Sequence, residues 1–488
     1  MTSRAATPFP VALLHSSGMS SRQCDLGFRS PDGPCASSNR GMESGRRLVG
    51  VFALACALMS ACALPPASGN AKAQLEDLAA FEQGFFLRDR SYSAPARAEA
   101  ARRIADLKSS AGSISDTRFI LLLSQIAALA DNGHTGVMYR GSAPGLGRVG
   151  LRLAPLGSEF IVVHALEENA SLLGSRLVAI DDAPVARLRS VAHTLQGGVL
   201  SRRDLMAPAF LESPGELHSF GLSRSADHAT YVFETRDGRR RAASLAATSP
   251  AGGPLEATMA QLSPASAPAG WRSLLTAEKA PWAFQDIGET MRRRDAPEFD
   301  AMIVQLRANL DGTQRIADFL QESEDARRRA GRRNAILDMR MNGGGDLTTT
   351  REWMSALPRR LPPEGRVIVL IGPSTFSAAI SSVGYLKQAG GSRVVLVGEP
   401  VGDRLEFFAE GQPITLPNSG AVVLMATERH DYVHGCRAFV DCHRFVVRYP
   451  IAVPDLDPEI QAPLTLEALV GGRDPGMDAV AALLSRTR

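Results

Sequence analysis

None of the six cysteines in this 488-residue chain forms a Cys-x-x-Cys pair. The usual signatures of a zinc ribbon and of a thioredoxin-type centre are therefore missing. An excess of one charge is missing too: 54 Lys and Arg stand against 51 Asp and Glu, a formal net charge of +3. That near-balance argues against a nucleic-acid partner. The arginines are scattered, and short runs such as Arg327-Arg328-Arg329 read as solvated helix faces. Long apolar runs are scarce as well. The one from Leu48 to Met59 is too short for a comfortable membrane span. What remains is 44% apolar and 22% charged, the balance of a globular protein with room for two to four domains.

Residues 1–41 are polar and without periodicity, and Met42 opens a second start. Arg46-Arg47 form a charged leader, Leu48 to Met59 an apolar stretch, and Ser60-Ala61-Cys62-Ala63 a small-residue site, the form of a secretory signal. Translation is expected to begin at Met42. Met59-Ser60-Ala61-Cys62 resembles a bacterial lipobox and predicts lipidation of Cys62, hence membrane anchoring; the rival is simple cleavage at Ala61-Cys62-Ala63. Either outcome exports the protein to the periplasm or the envelope. In such an oxidising compartment Cys436 and Cys442, which flank a five-residue loop, would pair as a disulfide.

The remainder predicts a multidomain α+β chain. Residues 70–140 read as a helical bundle: Leu75, Leu78, Phe81, Phe85 and Phe86 recur at helical spacing, Pro95 opens a second helix, and Thr117 to Ala130 is strongly apolar. Gly133 is the expected helix stop, which puts His134 just beyond a buried helix end. Residues 145–247 read as β-rich. Gly174 to Val185 looks like the strand and turn of a PDZ domain, with a helix over Leu188 to Leu195 and a hairpin turn at Asp237-Gly238. Residues 248–270, rich in Pro, Ala, Gly and Ser, read as a linker or long surface loop.

Residues 271–488 read as an α/β domain with a βα-repeat core of ClpP/crotonase type. Strands are expected at Met302 to Leu310, Asn334 to Asp338, Val367 to Ile371, Arg393 to Val397, Ala421 to Thr427 and Phe445 to Tyr449. Helices are expected at Gln314 to Ala330, beyond Ser377, and at Met477 to Leu484. Two turns carry chemistry. Gly343-Gly344-Gly345 follows a strand and lets the backbone approach a ligand, and the absence of Gly-Lys-Ser/Thr rules out a phosphate loop. Ser374, Thr375 and Ser377 lie where a buried strand breaks into a helix, an arrangement that exposes a hydroxyl beside free N–H groups.

Taken in order, these segments resemble the tail-specific, or C-terminal processing, serine peptidases, a family that includes the tricorn core and the interphotoreceptor retinoid-binding repeats. The matching motifs are Asp131-Asn132-Gly133-His134-Thr135, Asp338-Met339-Arg340-Met341-Asn342-Gly343-Gly344-Gly345, Ser377-Ala378-Ala379, Gly398-Glu399-Pro400, Pro454-Asp455 and Gly472-Arg473-Asp474-Pro475. By that resemblance Ser377 is the nucleophile, and the N–H groups of Ala378 and of Gly344 or Gly343 form the oxyanion hole. The family's Ser–Lys branch places a lysine after Gly-Glu-Pro. Here that place holds Arg404, which stays protonated and cannot act as a base. The tricorn-like branch uses a histidine, whose position corresponds to His134. Its orienting acid is open among Glu399, Asp455 and Asp131. Arg404 would instead bind the carboxylate of a peptide substrate.

The resemblance thus implies an exported serine hydrolase acting on peptides or proteins. The alternative is a peptidase-like scaffold that holds peptides or apolar ligands without turnover. No cofactor and no metal are expected, and His430, His434 and His443 read as solvated loop histidines. The sequence does not specify an oligomeric state.

Overall fold

The computed structural model describes residues 69–139, 146–248, 259–437 and 441–486. The leader, Cys62 and the expected start at Met42 lie outside the described residues. Among the described residues no helix is long and apolar enough to cross a membrane.

A six-stranded sheet organises the C-terminal half. Its strands, in spatial order, are Met291–Ala296, Ala301–Leu306, Asn334–Asp338, Val367–Ile371, Val394–Gly398 and Ile460–Gln461. The first pair is antiparallel and the rest are parallel. Every residue of the four middle strands is buried, as a parallel sheet covered on both faces requires. Alternation along each strand sorts the two faces. Leu337, Val369 and Leu396 meet the helices Ile316–Arg329, Arg351–Arg360 and Ala378–Gly390. Ile336, Ile368 and Val397 meet the C-terminal helix Pro475–Ser485 through Val480 and Leu484. Ligands of such sheets gather at the carboxyl ends of the strands, and there the glycine turn follows Asp338 and the serine turn follows Ile371.

Two expected strands differ. Phe445 to Arg448 lies in a short helix, Arg444–Arg448, with Val446 as its buried residue; an apolar run this short carries no period that separates strand from helix. The region Ala421 to Thr427 forms strands, Val422–Leu424 and Ala426–Asp431, but they leave the central sheet. Val422–Leu424 pairs with Gly136–Met138, directly after His134, and Ala426–Asp431 pairs with Glu406–Glu410.

The expected helices form at Gly69–Ala80 (prolonged by a π-helical turn, Phe81–Phe86), Ala94–Ser109 and Asp116–Ala128. Ser93 and Ser115 cap the last two by accepting from Ala96 N–H and Arg118 N–H. This bundle does not close its own core: Phe81, Phe119 and Ile126 pack in one cluster with Leu416, Ala421, Val423 and Met425. Residues 146–248 build a separate antiparallel sheet, in the order Arg148–Val149, Arg240–Thr248, His228–Glu234, Arg176–Ile180, Glu159–Leu166 and Leu151–Leu156, packed with the helices Val185–Ala192 and Leu200–Leu211. Its hairpin turns at Gly238, whose φ is +80°. The described part of the expected linker is no free loop. Met259 and Leu262 are buried, and Met259 N–H donates to Ser374 Oγ at 3.0 Å.

Candidate active site

The serine turn is built locally. Thr375 N–H donates to Gly372 O at 2.8 Å, Gly372 N–H to Thr375 Oγ1 at 3.0 Å, and Thr375 Oγ1 to Met339 O at 2.9 Å. These bonds fold the chain sharply after the strand. Ser377 then adopts φ +56° and ψ −126°, a strained region for a residue with a Cβ. It stands at the N-cap of Ala378–Gly390, yet its side chain makes no capping bond, so its Oγ is not consumed by the helix. Ala378, as the first helical residue, has an N–H without an intrahelical acceptor.

The glycine turn lies against it. A Cβ on Gly344 would stand 2.6 Å from Ser377 Cβ and 3.1 Å from Ala378 N, and the residue has φ +102°. Only glycine fits both demands. Gly344 N–H donates to Asn342 Oδ1 at 3.0 Å, and Asn342 is itself tied to Asn309 at 2.9 Å. Of the two glycines offered as oxyanion donors, Gly344 is thus already engaged. Beneath the turn, Arg340 bonds Asp338 and Asp474 at 2.7–3.0 Å, so motifs far apart in sequence meet in one buried triad. Burial works against the Arg340 charge, but the two carboxylates outweigh it and hold the guanidinium above its ordinary range.

His134 is held by distant parts of the chain. The helix before it ends at Ala128, and the residue that reverses the chain is Asp131, at φ +50°, rather than the expected Gly133. Gly133 is required for another reason: a Cβ there would stand 2.7 Å from Asp403 Oδ2 and 2.9 Å from Phe376 Cε2. Asn132 joins the strand Glu406–Glu410 by a reciprocal pair, donating to Phe408 O at 3.0 Å and accepting from Phe408 N–H at 3.1 Å. Thr135 donates to Asp89, which also accepts from Ala426 N–H at 2.7 Å.

The imidazole itself is clamped between Phe376, at 4.3 Å between ring centres, and Phe407, at 5.0 Å. Phe376 is the residue before Ser377, so the clamp ties the histidine to the serine turn. His134 Nδ1 lies 3.5 Å from Asp403 Oδ2, on a carboxylate 1% exposed. Neither ring nitrogen of His134 has a hydrogen-bond partner, so no hydrogen bond joins His134 to Ser377 Oγ in this conformation. Arg202 stacks on the other ring of the clamp, 4.0 Å from the Phe376 centre. Burial lowers the pKa of Arg202 to about 10, the Asp403 charge opposing that shift, so it remains a cation at neutral pH.

The expected acids take other places. Glu399 is half-buried and lines a cavity of about 90 Å³ with Leu156, Leu205, Met259 and Leu464. Burial raises its pKa, and its oxygen accepts from Leu464 N–H at 3.5 Å. Asp131 is bonded to Arg404 and Arg203. Asp455 accepts from Asp457 N–H at 3.3 Å. The carboxylate that pairs with His134 is Asp403, which sequence reasoning passed over. No local feature of Val401-Gly402-Asp403-Arg404 singled it out; only the fold brings it to His134. Arg404 bonds the Asp131 carbonyl and carboxylate at 2.7 Å each, and it lines a cleft of about 360 Å³ with Val199, Asp403, Leu405 and Asp455.

The Cys436–Cys442 disulfide is formed, with 5.9 Å between the Cα atoms. The expectation of solvated C-terminal histidines fails at His430, whose side chain is 2% exposed on a strand, and at His443, 19% exposed, and holds at His434, 75% exposed. Cross-strand pairing with Phe407 draws His430 inward.

No family model matches this chain, and no curated protein matches it. Solved structures do. Mature CPAF complexed with lactacystin matches with a TM-score of 0.54 and 13% identity, over 86% of this chain and 98% of that one. Mature CPAF alone matches with a TM-score of 0.52 and 13% identity, over 86% and 97%. The photosystem II D1 C-terminal processing protease aligns over 86% and 97% at 15% identity, with a TM-score of 0.35. At 13% identity the CPAF matches show a shared fold. The resemblance read from the ordered motifs is met at this level.

Proposed function

We propose that the chain is an exported serine peptidase that cleaves peptides or proteins through an acyl-enzyme on Ser377. The observation that carries this reading is the clamped imidazole: His134 is fixed by Phe376, one residue from the serine, with Nδ1 3.5 Å from a buried carboxylate and no competing hydrogen bond. In this mechanism Asp403 holds a proton on His134 Nδ1, leaving Nε2 to take the Ser377 proton as Oγ attacks the scissile carbonyl carbon. The tetrahedral oxyanion accepts from Ala378 N–H and Gly343 N–H. His134 then passes the proton to the leaving amine. Water, deprotonated by the same nitrogen, releases the acyl group. Closure of Ser377 Oγ onto His134 accompanies substrate binding, as catalytic bonds often tighten only in the complex.

In the same reading, the edge strand Leu151–Leu156 of a PDZ-like domain would hold an extended substrate segment. A substrate carboxylate would reach Arg404 by displacing Asp131. Export follows from the signal-like leader, and the disulfide supports it. The test is labelling by a serine-reactive fluorophosphonate. Labelling is expected in the native protein, to vanish in Ser377→Ala and to weaken in His134→Ala. Folded native protein that takes no label would overturn the reading and leave a scaffold that binds peptides or apolar ligands.

A further inference from the structure

Behind the clamp the row of rings continues. Phe407 stacks on His430 at 4.9 Å between centres, and His430 on His443 at 5.4 Å. Glu410 faces this end of the row, with Oε1 3.4 Å from His430 Nε2. One ligand atom each from Glu410, His430 and His443 fall within 4.8 Å of one another. From this cluster we infer a binding site for a divalent transition-metal cation of the zinc class, held by Glu410, His430 and His443.

Several features separate this cluster from a chance meeting of side chains. His430 is almost wholly buried and His443 largely so, and each keeps one ring nitrogen without a hydrogen-bond partner: Nε2 of His430 and Nδ1 of His443. A buried imidazole nitrogen without a partner carries a desolvation cost that a metal bond would remove. The other nitrogen of His430 is backed by an oriented group, as in ligating histidines generally. His430 Nδ1 meets Tyr432 Oη at 2.9 Å, and that hydroxyl meets Ser381 Oγ at 2.7 Å. His443 Nε2 lies 3.8 Å from Glu428.

The backbone is also committed. Glu410 sits at a bulge in the pairing of its strand with Ala426–Asp431, at φ +62°, a strained conformation for a residue with a side chain. Its carbonyl accepts from Thr427 Oγ1 at 2.8 Å, which holds that strain in place. His443 N–H donates to Arg429 O at 3.1 Å, and its neighbour Cys442 is pinned by the disulfide. Two imidazoles and one carboxylate match zinc's preference for nitrogen and oxygen ligands and leave a fourth position for water. Zinc bonds of about 2.0–2.2 Å lie in the plane of each imidazole, so binding requires His443 to turn out of its parallel stack on His430 while the three ligand atoms draw together.

The experiment is calorimetric titration of zinc ion into chelator-treated protein, run on the Ser377→Ala background so that its outcome is independent of catalysis. One equivalent is expected to bind. Glu410→Gln and His443→Ala are each expected to weaken binding by at least about tenfold, and His434→Ala, at an exposed neighbour, to leave it unchanged. Because a variant at a buried position can fail to fold, cobalt(II) added to the unaltered site supplies a second readout: a visible absorption spectrum of tetrahedral type. Absence of one-equivalent binding, binding untouched by both ligand substitutions in folded protein, or an octahedral cobalt spectrum would each overturn the site. Fluorophosphonate labelling of Ser377 in unsubstituted protein reports on the peptidase reading separately.

Discussion

The serine turn and the histidine turn are built on opposite plans. The first is folded mainly by residues within a few positions of Ser377, assisted by the glycine turn of the adjacent parallel strand. The second is held from outside: Asp89, Phe376, Asp403 and Phe408 all lie far from His134 in sequence, and each touches its turn. Under the proposed mechanism, a nucleophile carried on a rigid sheet end needs little further support, whereas a base delivered from another part of the chain must be fixed by many weak, long-range contacts. Damage to the first turn should therefore abolish chemistry while sparing the fold, and damage to the second should touch both.

Asp403→Asn strikes where the two turns meet. The amide would still fill the space beside Gly133 but would no longer stabilise a protonated His134. The turnover number for a peptide substrate is expected to fall by about 10³–10⁴-fold with KM little changed. A loss under tenfold would mean that another carboxylate orients the histidine, and would revive Glu399. Gly344→Ala should act on the serine side alone. Its Cβ would enter the 2.6 Å gap to Ser377 Cβ and disturb the Ala378 N–H beside it. A fall of about 10²–10³-fold in turnover is expected, the scale of losing an oxyanion donor. Comparison of urea midpoints would show whether the damage stayed local.

A pH titration separates the supports of the two turns. His164 lies on the strand Glu159–Leu166 with Nε2 2.6 Å from Gln261 O, in the segment whose Met259 N–H bonds Ser374 beside the serine. Burial lowers its pKa from 6.5 to about 4, the bond to Gln261 opposing that shift. The unfolded chain therefore binds more protons than the folded one between those values, and stability is lost as pH falls through that window. The full effect is about 3 kcal/mol, complete only below pH 4. Urea unfolding between pH 7 and pH 4 measures it. His164→Asn should flatten that part of the profile, and an unchanged slope would assign it to other groups.

This contrast also governs what could be read from residues alone. The strands Asn334–Asp338 and Val367–Ile371 were legible to the residue, because a fully buried parallel strand is a short β-branched run bounded by turn residues. The serine turn and the triple-glycine turn were legible for the same reason: both follow from local backbone geometry. Asp403 was not. Nothing in Val401-Gly402-Asp403-Arg404 marks one carboxylate over Glu399 or Asp455, and only the fold brings it to His134. The strand Val422–Leu424 was visible, but its partner Gly136–Met138 was not, since pairing across so much chain leaves no local trace. Gly133 was assigned to the right turn with the wrong cause, a helix stop in place of a close approach.

Asn132 offers the finest test of the contrast, because it supports the histidine turn without touching the imidazole. Its amide satisfies both the N–H and the C=O of Phe408, next to the clamping Phe407, and donates to Thr135 at 3.0 Å. Asn132→Ala would leave the two Phe408 groups unpaired in a largely buried place, at a cost of about 2 kcal/mol in unfolding free energy. Activity should fall together with stability, by roughly tenfold, since Phe407 and the imidazole would lose one wall of their support. Asn132→Asp keeps the acceptor for Phe408 N–H but has no donor for Phe408 O when ionised, so it should recover only part of the loss. Gly344→Ala is the contrasting change on the other turn, where it removes no side-chain hydrogen bond. If Asn132→Ala cost stability without activity, or Gly344→Ala lost stability along with activity, the distinction between a locally folded serine turn and a remotely assembled histidine turn would fail.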